Sequence, residues 1–297
     1  MTRLSDLPFD IVGEIVDNLQ DDLAALKSGA QTCLSLLLLC RKYIFRTITL
    51  GPRCRSIRSF ASLLDTNPRI VDYVQNLVYV QPTCMNDLDC FVPPILDKFH
   101  RIHYFELSGN LDMDWSKLGP RLRESLSRII HSATQLNICS IANFPISIFI
   151  PCINLIELTL YFKEPIVDDM NSYEHEYFDH DALPQLQSLI LNRSAVTYRG
   201  HDTAVTIVDA RCSEHIPVLD LSNLRTLSVY ILDEEDLKAI HAVTKVTKKL
   251  ETLSYEYSGM YPIYLHFIGW NWFTLHQWIT ADLKILLHRW ILLLFQH

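Results

Sequence analysis

The tract from Glu164 to Asp181, EPIVDDMNSYEHEYFDHD, gathers more potential ligand side chains than its neighbours. It holds His175, Glu176, Asp179, His180 and Asp181. Imidazole nitrogens and carboxylate oxygens this close together could bind a divalent metal. The tract has no apolar periodicity, however, and it separates two apolar segments. That pattern reads as an acidic surface loop, and such loops often carry recognition. No metal site is therefore expected; a basic partner is what the loop would suit.

Other chemistry is not announced. No GxSxG, GxxxxGK[ST], GxGxxG or HExxH occurs. Only 8 glycines are present, few for phosphate-cradling loops. No nucleophile stands out with its base, so the reading is a non-catalytic protein with no cofactor. The 8 cysteines, at 33, 40, 54, 84, 90, 139, 152 and 212, form no CxxC and no zinc spacing. Several lie among apolar neighbours, as buried reduced thiols do. A reducing cytoplasmic or nuclear location fits them. The opening MTRLSDLPFD has no apolar core of a secretory signal. In that setting the sequon Asn192-Arg193-Ser194 has no meaning.

The elements that must position any site are legible from composition and period. The chain has 297 residues, 49% hydrophobic and 20% charged, which is globular and sufficient for one or two domains. A net charge of −8 argues against general nucleic-acid binding, which needs a basic face. Arg41, Lys42, Arg46, Arg53, Arg55 and Arg58 do lie close together. They read as a solvated helix end and turn.

Near the N-terminus, Leu7-Pro8 opens a helix, where proline's missing N–H has no partner to lose. Asp6 and Asp10 bracket that start and suit the positive end of the helix dipole. Ile11, Ile15 and Leu19 recur at i, i+4 and i+8, with Val12 and Val16 as a second stripe. The helix is thus apolar over much of its circumference, and part of it should meet something beyond its own hairpin.

Leu7-Pro8, Ile11, Ile15, the Asp22-Leu23-Ala24-Ala25-Leu26 start of a second helix, Cys33 in a third, and the exit Tyr43 to Leu50 together resemble an F-box. F-boxes tie a protein to the Skp-type adaptor, and through it the cullin scaffold, of an SCF ubiquitin ligase. The resemblance implies that Leu7, Pro8, Ile11, Ile15, Leu19, Leu23 and Leu26 form or support the adaptor-binding face. The sequence departs from the family after the cysteine: Leu34 and Leu36 stand where an arginine and then an aromatic residue are usual. An ordinary helical cap on a larger domain is the other reading of this segment.

Beyond residue 50 an LxxLxL-like signature recurs. It is found at Val74/Leu77/Tyr79, Ile102/Phe105/Leu107, Ala133/Leu136/Ile138, Leu155/Leu158/Leu160, Leu186/Leu189/Leu191, Leu224/Leu227/Val229 and Leu250/Leu253/Tyr255. Central members lie 28, 31, 22, 31, 38 and 26 residues apart, a range that resembles leucine-rich repeats. In each LxL the outer two residues share one strand face and the middle one points away. One unit cannot bury its apolar side alone, so units stack. Helical character at 120–130 and 233–240 separates some of them. The family's asparagine three residues after the last leucine survives only at Asn110, so irregular turns are expected.

The expectation is an α/β chain. Residues 1–50 are a three-helix F-box, and 51–258 an irregular leucine-rich-repeat α/β solenoid with a parallel sheet. Residues 259–297 are an apolar, aromatic C-terminal segment. Met260 to Ala281 holds no Asp, Glu, Lys or Arg, and four of the 5 tryptophans follow residue 269. About 20 uncharged residues suffice to cross a bilayer. His266, Asn271, His276 and Gln277 dilute the run, and a cap on the open end of the solenoid or an aberrant tail is preferred to a membrane segment. The combination resembles fungal F-box proteins whose repeats present a surface to an unknown protein substrate; the other reading is an interaction scaffold outside any ligase.

Overall fold

The computed structural model describes residues 8–51, 53–82, 88–109, 113–162, 183–193, 211–212, 216–231, 243–257 and 263–268. Leu7, Asn110, the acidic tract, the expected helix at 233–240 and everything after 268 lie outside them.

Three helices come first: α1 (Phe9–Asn18), α2 (Leu23–Ala30) and α3 (Leu34–Ile44). Pro8 stands just ahead of α1, and its carbonyl accepts from the N–H of Val12 at 3.2 Å. Asp22 caps α2, its Oδ1 accepting from the N–H of Ala25 at 2.9 Å. Val12, Val16, Leu26, Leu36 and Cys40 form a small core of their own. Cys33, expected inside the third helix, instead precedes it as an exposed N-cap. The buried thiol is Cys40, and burial pushes its pKa up.

The rest is α/β. The strands are β1 (Thr47–Leu50), β2 (Asn76–Val80), β3 (Tyr104–Ser108), β4 (Gln135–Cys139), β5 (Glu157–Phe162) and β6 (Ser188–Arg193). A two-residue pair follows, β7 (Arg211–Cys212) and β8 (Ile216–Pro217), and then β9 (Thr226–Ile231), β10 (Thr252–Tyr257) and β11 (Ile263–Ile268). Apart from the separate β7–β8 pair, all join one sheet in chain order. Every pairing up to β10 is parallel; β11 turns back antiparallel. The sheet therefore starts at Thr47, ahead of the expected boundary at 51. It also takes in part of the C-terminal segment. Among the described residues no helix is long and apolar enough to cross a membrane.

The register joins the repeat units residue by residue. Leu77, Phe105, Leu136, Leu158, Leu189, Leu227 and Leu253 are lateral partners in turn, with Ile48 ahead of them. Tyr79, Leu107, Ile138, Leu160, Leu191, Val229 and Tyr255 form the next row. The entry to each strand repeats as well. The Arg46 carbonyl accepts from the N–H groups of both Gln75 and Asn76, at 3.0 and 2.9 Å. The Gln75 carbonyl does the same for His103 and Tyr104, at 2.7 and 3.1 Å. The pattern continues through His103, Thr134, Ile156, Gln187 and Arg225. One carbonyl thus satisfies two donors at each step, which leaves no orphan where a turn becomes a strand.

Helices α4 (Cys54–Thr66), α5 (Leu88–Leu96) and α6 (Pro120–Ser132) cover the face bearing those rows. Ile57 and Leu64, Val92 and Leu96, and Leu126 and Ile130 enter one core with Leu77, Phe105 and Leu136. In α6 the buried Leu122, Leu126, Ile129 and Ile130 show the period of an amphipathic helix.

Two glycines mark close backbone approaches. Gly51 has φ +111°, and a Cβ there would lie 2.0 Å from the Val80 carbonyl oxygen. At Gly109 it would lie 2.3 Å from the Ser140 carbonyl oxygen and 2.7 Å from Met113 Cβ. Gly51→Ala and Gly109→Ala should each cost about 2 kcal/mol or more, read as a lower urea midpoint. Wild-type midpoints would show that these turns yield freely.

After that second turn Asp114 is buried and pins the loop. Its Oδ1 accepts from the Ser116 N–H at 2.9 Å and the Ser116 hydroxyl at 2.6 Å, and Lys117 Nζ lies 3.1 Å from Oδ2. The Ser116 hydroxyl, with help from Asn143 and Lys117, outweighs burial and holds the carboxyl well below its usual range. With the native pKa below the unfolded one, the stabilisation is complete above about pH 4. It is lost as pH falls toward the native value. Asp114→Asn should flatten the fall in stability below that pH; an unchanged acid limb in chemical denaturation would assign the acid loss elsewhere.

Candidate docking surfaces

The helical hairpin buries only part of its apolar surface. Val12 and Val16 face inward on α1, whereas Ile11 and Ile15 are 44% and 40% exposed. Successive helical residues are about 100° apart, so Ile11 and Ile15 form a separate stripe beside the packed one. On α3, Leu36 and Cys40 are buried, while Leu34 and Leu38 are 71% and 49% exposed. Phe9 and Leu23 are exposed too. So much uncovered aliphatic surface on one short module makes it a candidate docking face.

Of the residues expected at the adaptor-binding face, Pro8, Ile11, Ile15 and Leu23 are exposed. Leu19 is half-buried against the hairpin core, and Leu26 is buried within it. Leu7 lies outside the described residues. Phe9, Leu34 and Leu38 were not expected there. In the run Leu34-Ser35-Leu36-Leu37-Leu38-Leu39 nearly every position is leucine, so only tertiary packing decides which ones face out. Asp17 ties α1 to α3 by accepting from the Tyr43 hydroxyl, with Lys42 Nζ at 3.7 Å. Both groups of that ion pair are exposed, so it orients more than it stabilises.

The second surface is the sheet face turned away from the helices. It carries the middle residue of each LxL and its same-parity neighbours. Glu106 anchors a network there. Its Oε2 accepts from the Tyr104 hydroxyl at 2.8 Å and from Asn137 Nδ2 at 3.4 Å. Asn137 Oδ1 accepts in turn from Cys139 Sγ at 3.2 Å. Partial burial, reinforced by Glu106, pushes the Tyr104 pKa up to about 12. Burial and then the Glu106 charge do the same for Cys139, also to about 12. Both stay protonated at neutral pH, so Tyr104 donates steadily to Glu106 and the Cys139 thiol is no nucleophile there. The arrangement is a fixed pattern of donors and acceptors suited to holding a partner.

Among the described residues no three His, Cys, Asp or Glu side chains gather as a metal site. The chain matches no protein-family model, no curated protein and no solved structure.

Proposed function

We propose that this protein is a substrate-recognition adaptor of an SCF-type ubiquitin ligase. The helical hairpin would dock to a Skp-type adaptor, and so to a cullin scaffold, while the sheet of degenerate leucine-rich repeats binds the target protein. The hairpin carries the proposal: it closes a core of its own yet leaves Ile11, Ile15, Leu34 and Leu38 uncovered. A helical cap would be expected to spend those residues on the sheet. In such a ligase the chain works by effective concentration, holding the target beside the charged enzyme.

An interaction scaffold outside any ligase is the second reading. It is favoured by Leu34, which is aliphatic and exposed at a position where F-boxes usually carry arginine. Pull-down of the purified, folded chain with a Skp-type adaptor separates the two. Capture supports the ligase reading, and failure to capture moves the assignment to the scaffold.

A further inference from the structure

We propose that the open sheet face binds an extended protein segment carrying basic residues two to four positions apart, paired with Glu106 and Glu157. This rests on the reading of that face as the target-binding surface, and not on the hairpin's docking.

The inference comes from how charge is sorted between the two sides of the sheet. The chain has 26 Lys and Arg residues. None of them stands among the described side chains of the open face, from Thr47 and Thr49 on β1 to Thr252 and Ser254 on β10. Cations gather on the helical side instead, at Arg55, Arg58, Arg121, Arg123 and Arg128. Among the described side chains of that face, Glu106 and Glu157 have no cation beside them, and the others are Thr, Ser, Asn, Gln, Tyr and a few apolar residues. Glu106 is half-buried and its contacts are to neutral donors, the Tyr104 hydroxyl and the Asn137 amide. These fix the carboxylate without neutralising it. A partly desolvated, oriented carboxylate pairs with an incoming cation more strongly than a freely solvated one.

Spacing sets the kind of ligand. Glu106 is in register with Asn137 and Thr159, and Glu157 lies two residues before Thr159. The glutamates are therefore two strands and two residues apart, about 12 Å at strand spacings of about 4.8 Å and rises of about 3.3 Å. Same-side residues of an extended segment recur about every 7 Å, so cations at i and i+2 or i+4 can reach both with flexible stems. Gln135 lies between the glutamates on β4, and its amide can meet the segment's backbone, while that of Asn137 is taken up by Glu106 and Tyr104. The acidic face also selects against nucleic acid, which needs the opposite charge.

The test is fluorescence anisotropy of the full chain with a labelled peptide alternating arginine and serine, beside the same peptide with glutamine for arginine. Wild type should bind the arginine peptide at least tenfold more tightly, with a strong salt dependence. Glu106→Gln/Glu157→Gln should lose roughly tenfold or more. Its thermal midpoint should hold, because glutamine still accepts from Tyr104. Asp168→Asn/Asp169→Asn should bind like wild type. Equal binding of the two peptides overturns the proposal. So does full binding by the Glu106/Glu157 variant, and loss confined to the Asp168/Asp169 variant would move the site to the acidic tract. Failed peptide binding with intact capture by a Skp-type adaptor removes this inference alone; the reverse removes the ligase reading alone.

Discussion

Ile11→Asp should reduce capture by a Skp-type adaptor at least a hundredfold while leaving the thermal midpoint within a degree or two of wild type. Ile11 is 44% exposed and outside the hairpin core of Val12, Val16, Leu26, Leu36 and Cys40. Its replacement therefore opens no cavity. It is also the third residue of α1, where a carboxylate suits the positive end of the helix dipole and should be neutral or slightly stabilising. In an interface the balance reverses. The aliphatic anchor, about 1.5–3 kcal/mol when fully buried, is gone. The carboxylate that replaces it must lose its water without a partner, at a cost of several kcal/mol. Val12→Asp, one residue on, makes the contrast: it puts the charge into the hairpin core and should unfold the hairpin. Undiminished capture by a folded Ile11→Asp chain would remove α1 from the docking face.

Phe105→Ala should destabilise the sheet by about 3–5 kcal/mol. Phe105 is fully buried in the middle of the inward row, with Leu77 on one flank and Leu136 on the other. The rows beside it are locked by register and cannot slide to fill the gap, so the cavity penalty adds to the lost transfer energy. Such a loss is a large share of the roughly 5–15 kcal/mol of a typical domain. Thr159→Ala, on the opposite face of β5, should stay within about 0.5 kcal/mol. Urea denaturation distinguishes these outcomes, and a loss below 1 kcal/mol at Phe105 would mean that the inward rows are loosely packed.

The repeat was readable because period-two patterning is strict wherever one strand face is buried. A one-residue slip would turn Leu136 and Ile138 outward together, so each degenerate LxL still announces its own register. Helix α6 was readable for the related reason that Leu122, Leu126, Ile129 and Ile130 keep the helical period. The strand at Thr47–Leu50 was absorbed into the helical module, since four residues are too few for a pattern and Ile48 and Leu50 have only one flank to pair with. Nor was the exposed apolar face of α3 visible. Leu34 and Leu36 are chemically identical, and only packing makes one exposed and the other buried. The Tyr104–Glu106–Asn137 network joins residues on adjacent strands through a register that no local window contains.

The order of the sheet has a consequence for how the chain is made. Each strand from β2 to β6 pairs with the one before it, and the pairing carbonyl comes from the residue preceding that earlier strand. A nascent chain leaving the ribosome can therefore close its hairpin core and lay down β1. It can then add each unit onto a finished template as that unit emerges, without waiting for a distant segment. Besides the fixed edge at β1, the sheet then leaves one unpaired strand at its growing edge, which limits the aggregation that long-range parallel pairing would otherwise invite.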